Sequence, residues 1–214
     1  HTFILKKDGS LWSCGVNTLG QLGLGDTSSR TEFEQVTINV NNNIKQIACG
    51  QNYTVILKND GNVWSSGYNN FGQLGLGSTT NKNTFTQVTT NVTNDVEQIA
   101  CGYAHTFILK NNGSVWACGY NGSGQLGLGN TANKSTFTKV TKNINNDVKQ
   151  IACGSIHTFI LKNNGSLWAC GDGSKGQLGL GISDKNTFTQ VTTNISNDVK
   201  EIICGYEHTF ILKN

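Results

Sequence analysis

The 214 residues carry 16 basic and 13 acidic side chains, a net charge of +3, and charged residues make up only 14% against roughly 25% in an average soluble domain. That balance gives no ground for a nucleic-acid binder, and no apolar run is long enough for a membrane-spanning helix. Proline and methionine are both absent, so with no initiator the chain reads as a trimmed or excerpted piece.

The chain opens on His1–Lys6, reading HTFILK, followed by the turn Asp8-Gly9, then Trp12, and then GQLGLG from Gly20. An apolar run ending in Cys49-Gly50 closes this first unit. The same order returns with the turn Asp60-Gly61, Trp64, GQLGLG from Gly72 and the dipeptide Cys101-Gly102. Trp12, Trp64, Trp116 and Trp168 stand 52 residues apart, which marks a repeat architecture. The third unit shows the local pattern best. Two β-rich runs, Thr106–Lys110 and Ser114–Cys118, flank Asn111-Asn112-Gly113, a hairpin signal because glycine tolerates the positive φ of a tight primed turn. Short runs around Val140 and over Val148–Cys153 follow, and no window sustains a helical apolar period. The fourth unit repeats the pattern with one loop residue fewer, and HTFILK recurs from His208.

Four short strands per 52 residues is the content of a β-propeller blade. The expected fold is all-β, a β-propeller of four-stranded blades with four present, in one segment spanning 1–214. Its repeats run approximately 1–52, 53–104, 105–156 and 157–207, with 208–214 starting a fifth. GQLGLG lacks the lysine of a P-loop and the spacing of a dinucleotide fingerprint, so it reads as a turn whose leucines plug the blade.

The run from Ile99 to Gly129, through HTFILKNNG and WACGYN to GQLGLG, resembles the regulator-of-chromosome-condensation repeat family, and a bacterial-type member is expected. The resemblance covers essentially the whole chain and implies a propeller, usually of seven blades, which at this period would need about 364 residues. Consecutive blades of a longer propeller or array are therefore expected. Four blades alone would leave terminal apolar faces uncovered and self-associate. The family includes an exchange factor for a small GTPase and a secreted β-lactamase inhibitor, both working through a propeller face.

Repetition also sorts the polar residues. A packing group is needed in every blade and a catalytic group once. His1, His105, His157 and His208 occupy equivalent places, with Tyr53 in the remaining copy, so these are structural histidines. Cys49, Cys101, Cys153 and Cys204 form one class and Cys14, Cys118 and Cys170 another, with Ser66 in the fourth place. The odd count and the absence of CxxC point to reduced, buried thiols with no metal site and no cofactor.

Hairpin geometry places the start of one strand and the end of the next on the same face. That face collects Tyr68, Asn69, Tyr103, Tyr120, Asn121, Asp172, Tyr206 and Glu207, with Asn69, Asn121, Asp172 and Glu207 as a polar rim around the tyrosines. The opposite face carries Lys6, Lys7, Lys58, Lys110, Lys162 and Lys213, read as a solvated rim. The expected function is a non-catalytic scaffold presenting the tyrosine face to a protein partner, with no nucleic acid favoured. The alternative is a guanine-nucleotide exchange factor or another enzyme-regulating propeller.

Overall fold

The computed structural model describes residues 1–40 and 43–213; Asn41 and Asn42 of the first expected copy and Asn214 of the fifth lie outside the described residues. Every described element is a β-strand, and the strands form five sheets. β1 (Thr2–Leu5), β2 (Leu11–Gly15) and β3 (Arg30–Gln35) make a three-stranded sheet. Three four-stranded sheets follow in sequence order. The first holds β4 (Ile44–Cys49), β5 (Tyr53–Lys58), β6 (Val63–Gly67) and β7 (Lys82–Gln87). The second holds β8 (Val96–Cys101), β9 (His105–Lys110), β10 (Val115–Gly119) and β11 (Lys134–Lys139). The third holds β12 (Val148–Cys153), β13 (His157–Lys162), β14 (Leu167–Gly171) and β15 (Lys185–Gln190). β16 (Val199–Cys204) and β17 (Thr209–Lys213) pair alone.

The sheets are out of phase with the expected repeat boundaries by one strand. β8 closes the expected second repeat, yet it pairs antiparallel with β9, Ile99 facing Ile108. Its burial explains the phase. The first strands of successive sheets lie against one another, joined by glutamine side chains that mimic a backbone ladder. Gln46 donates to the Ile99 carbonyl at 2.9 Å and accepts from its N–H at 3.0 Å. Gln98 does the same to Ile151, and Gln150 to Ile202.

The hairpins differ from the primed turns expected. Gly113 sits at φ +77° while Asn111 and Asn112 do not have positive φ. With Gly113 N–H bonding the Lys110 carbonyl at 2.8 Å, this is a type I turn closed by a left-handed glycine, which forms a bulge.

The lysines are a second correction. Lys58, Lys110 and Lys162 are buried, not a solvated rim. Each ammonium lies over a tryptophan of the next strand, at 4.2 Å for Trp64, 4.9 Å for Trp116 and 4.7 Å for Trp168. Lys110 and Lys162 also pair with Asp95 at 3.1 Å and Asp147 at 3.3 Å. Burial lowers the pKa of Lys58, whose neighbour Asp60 pulls it back up. A cation committed to a ring and a carboxylate is not available to a nucleic-acid phosphate.

The indoles show one local flaw. Trp12, Trp116 and Trp168 donate Nε1–H to Ser10, Ser114 and Ser166 at 2.9, 3.2 and 3.1 Å. Asn62 stands in that place in the second copy, and Trp64 Nε1 is buried without a partner. Restoring a lost bond to a buried donor is worth about 1 kcal/mol. Asn62→Ser is therefore expected to stabilise the protein by about that amount, despite losing the bond from Gln87 to Asn62. A urea titration checks this; an unchanged or lower midpoint refutes it.

Candidate functional site

The histidines are structural, as the repeat implied. His105 Nε2 meets Thr158 Oγ1 at 3.1 Å and His157 Nε2 meets Thr209 Oγ1 at 3.0 Å, each reaching into the next sheet. The threonine hydroxyls already donate to the carbonyls of Gln125 and Gln177, so the imidazoles must carry their proton on Nε2. Their Nδ1 atoms are buried without a partner. Burial holds His105 down to about 3 and His157 down to about 4, keeping both neutral. Tyr53 fills the same station with its hydroxyl, 3.2 Å from Thr106 Oγ1.

The thiols are all free, but only Cys118 and Cys170 are buried. Cys49 is exposed, and Cys14, Cys101, Cys153 and Cys204 are half-buried, which corrects the expectation of uniformly buried thiols. Cys49, Cys101, Cys153 and Cys204 line an open basin of about 420 Å³ with Gln51, Tyr103, Ser155 and Tyr206 at its rim. Desolvation pushes Cys101 and Cys204 up to about 12, so these thiols stay protonated at neutral pH and are poor nucleophiles and metal ligands. Among the described residues no group of three His, Cys, Asp or Glu side chains is placed to hold a metal, and no helix is long and apolar enough to cross a membrane.

Around the basin the loops after each Cys-Gly form a ladder. Gln51 N–H bonds the Tyr103 carbonyl at 3.3 Å, Tyr103 the Ser155 carbonyl and Ser155 the Tyr206 carbonyl, both at 3.0 Å. Outside this ladder lie the loops that follow the third strands. Tyr68 N–H bonds the Asn52 carbonyl, Tyr120 that of Ala104 and Asp172 that of Ile156, so each of these loops lies against the one that precedes the second strand of its sheet.

The structure divides the expected site residues into two groups. Tyr68, Tyr103 and Tyr120 are half-buried, while Tyr206 and Glu207 are exposed. Asn69 and Asn121 are fully buried and Asp172 is 8% exposed, so these three are not a polar rim. Asn69 donates to the carbonyls of Ser78 and Thr80 and accepts from Leu74 N–H, locking the GQLGLG loop, and Asn121 repeats this with Asn130, Ala132 and Leu126. In the fourth copy Gly173 takes the asparagine's place. Asp172 substitutes for it, accepting from Ser174 N–H at 2.9 Å and Gln177 Nε2 at 2.8 Å. Burial raises the Asp172 pKa, but the hydrogen bonds from Ser174 and Gln177 outweigh it and hold the carboxyl below its usual range.

One member of the face went unrecognised in the sequence. Phe71 stacks between Tyr68 at 6.0 Å and Tyr120 at 4.9 Å between ring centres, joining two neighbouring blades. Its signal was available: the residue before GQLGLG is Leu19, Phe71, Ser123 and Lys175, aromatic only once.

Comparison with known proteins places this fold. The RCC1-like domain profile matches residues 1–214. The ultraviolet-B receptor UVR8 of Arabidopsis thaliana is 30% identical over 198 residues, covering 92% of this chain and 45% of the receptor. The X-linked retinitis pigmentosa GTPase regulator of Canis lupus familiaris is 31% identical, covering 99% of this chain and 26% of the relative. Among solved structures, human WBSCR16 superposes with a TM-score of 0.86 at 25% identity, covering 99% of this chain and 55% of its own. Saccharomyces cerevisiae Prp20p, studied for its binding to Gsp1p and histones, superposes at 0.81 with 23% identity, which speaks to the fold alone. The chain thus spans about half the length of these relatives or less. They are plant, mammalian and yeast proteins, and the expected bacterial type draws no support from them. The chain belongs to the RCC1-like domain family, and its sheets are β-propeller blades.

Proposed function

We propose that this RCC1-like segment is a non-catalytic protein-interaction module whose working surface is the basin face. The carrying observation is the arrangement of aromatic rings there. Tyr103 and Tyr206 edge the basin, and the Tyr68–Phe71–Tyr120 stack bridges two blades beside it. Tyrosine offers a large amphipathic contact area with little side-chain entropy to lose, and interface hot spots are enriched in it. These rings stand on loops, outside the strand pairing. Glu207 and Gln51, both exposed, supply the polar rim that Asn69, Asn121 and Asp172 do not.

A regulatory role toward a small GTPase is the second reading. A relative at 31% identity is a GTPase regulator, which supports it. In both readings the partner is a protein and the chain supplies a surface.

Affinity capture with the 214-residue chain and with Tyr103→Ala/Tyr206→Ala tests the face. Interface tyrosines cost about 2 kcal/mol or more when truncated, so captured partners are expected to fall at least tenfold while the melting temperature stays put. Equal capture by both proteins would overturn this assignment of the face. Acceleration of nucleotide release from a captured GTPase would select the second reading.

A further inference from the structure

We propose that the protein holds a second binding surface, on the face opposite the basin, that takes an acidic segment of a partner protein. The net charge is not spread evenly over the repeats. Residues 105–156 carry five lysines and one acid, Asp147, whereas in each of the other three repeats the acids equal the bases or exceed them by one. Ion pairing sharpens the contrast. Lys110 pairs with Asp95 of the repeat before, and Asp147 is taken by Lys162 of the repeat after. Lys134, Lys139, Lys142 and Lys149 remain, and among the described residues none of them has a carboxylate within salt-bridge distance.

Three of these cations gather in one place. Lys139 pairs with Trp116 beside the Asn111–Gly113 turn, and Val148, which precedes Lys149, pairs with Lys162 beside the turn that holds Gly165. The loop joining β11 to β12 therefore stands on the turn face. It carries Lys142, whose side chain runs along Gly129 on the seam with the next sheet. All three lysines are exposed. Glutamine takes the place of Lys139 in the other copies, as Gln35, Gln87 and Gln190, and Ile38, Thr90 and Thr193 take that of Lys142. A group required for packing recurs in every copy, so lysines present in one copy point to a task outside the fold.

Lys149 also edges a polar notch of about 380 Å³ between the sheet of β8–β11 and that of β12–β15, lined by Asn111, Asn112, Asn146, Asn163 and Glu97. Asn112 Oδ1 accepts from Ser114 N–H at 3.0 Å, which leaves its Nδ2 to donate to a ligand. Amide donors beside an ammonium suit a carboxylate, which only accepts hydrogen bonds. Glu97 is the one carboxylate lining the notch, and it opposes such a ligand. Nucleic acid fits less well. About three lysines neutralise too few phosphates for firm binding of a duplex. Laid across this face, a duplex would also meet the exposed Glu97 and Glu201 on the strands flanking β12. The aromatic rings of this face, Trp116 and Trp168, lie under lysine ammoniums and offer no stacking platform to bases. A short acidic segment reaches the lysines without crossing those carboxylates.

Fluorescence anisotropy of a fluorescein-labelled oligoglutamate peptide with the 214-residue chain tests the proposal, with a labelled duplex DNA as the comparison. The peptide is expected to bind at low ionic strength and to let go as salt rises. Lys139→Gln/Lys142→Gln/Lys149→Gln should weaken binding about tenfold or more with an unchanged circular dichroism spectrum. Glu97→Gln should tighten it, an effect that a merely structural role would not give. Lys7→Gln/Lys82→Gln/Lys175→Gln removes the same charge elsewhere and should cost about twofold at most. Tyr103→Ala/Tyr206→Ala should leave peptide binding alone, which keeps this surface separate from the basin face. Absence of peptide binding, equal losses in the two lysine variants, or tighter binding of the duplex than of the peptide would each overturn the proposal.

Discussion

Gly124→Ala is expected to destabilise the protein by about 3 kcal/mol, and Gly176→Ala by only about 1 kcal/mol when both are measured as monomers. The two glycines hold the same place in GQLGLG and nearly the same backbone, with φ of +78° and +77°. Both substitutions therefore bear the same cost of forcing alanine into the left-handed region. Only Gly124 faces a neighbour: its new β-carbon would collide with the Asn186 backbone and lie 2.6 Å from Asn186 Cβ, while that of Gly176 meets nothing within 4 Å. The backbone of β15 cannot yield without breaking its pairing to β14. The difference between the variants isolates the seam from the turn. Guanidinium titrations read it, and equal midpoints would show that the GQLGLG loops are turn residues with no packing role between blades.

Acidification supplies the second large effect. His105 and His157 are neutral in the fold, at about 3 and about 4, because burial penalises the charged ring. The unfolded chain titrates them near 6.5. Between those values the unfolded state binds more protons, so stability falls as pH drops. At pH 5 each histidine should withdraw about 2 kcal/mol relative to pH 7 or above. Asp26 and Asp172, held low in the fold, add their loss only at more acid pH, near and below the ordinary carboxylate range. A melting temperature lower at pH 5 than at pH 7 by about 10 °C is the expected result. His105→Tyr copies the solution already present at Tyr53 and should remove about half of that dependence. A flat profile between pH 7 and pH 5 would mean that the imidazoles reach solvent.

Much of this protein is local, and what is local was legible. A hairpin needs two β-rich runs and a glycine that accepts positive φ, and Thr106–Lys110, Gly113 and Ser114–Cys118 state all of it within thirteen residues. The 52-residue period identified the repeat, because three equal tryptophan spacings do not arise from an unrepeated fold, and the motif run from Ile99 to Gly129 carried the resemblance to the family. Hairpin geometry alone put the tyrosine loops on one face. The recurrence of histidine with one tyrosine substitute was enough to separate a packing role from chemistry.

The remainder depended on partners one period away. The alternation of Lys110 along its strand does not reveal that Trp116 and Asp95 enclose it, so a charge that looks solvated is buried. Asn69, Asn121 and Asp172 look like rim residues because polar loop side chains usually face water. Here the GQLGLG turn presents a backbone N–H that the inward Asn69 and Asn121 amides accept, and in the fourth copy Asp172 turns inward to accept from the Gln177 side chain. The sheet phase was hidden for the same reason: Val96–Cys101 reads as the end of one repeat, and only its pairing with His105–Lys110 makes it the first strand of the next blade. Strand content, period and family are properties of short segments and their spacing. Burial is a property of whatever packs on top, and in a propeller that is the neighbouring blade.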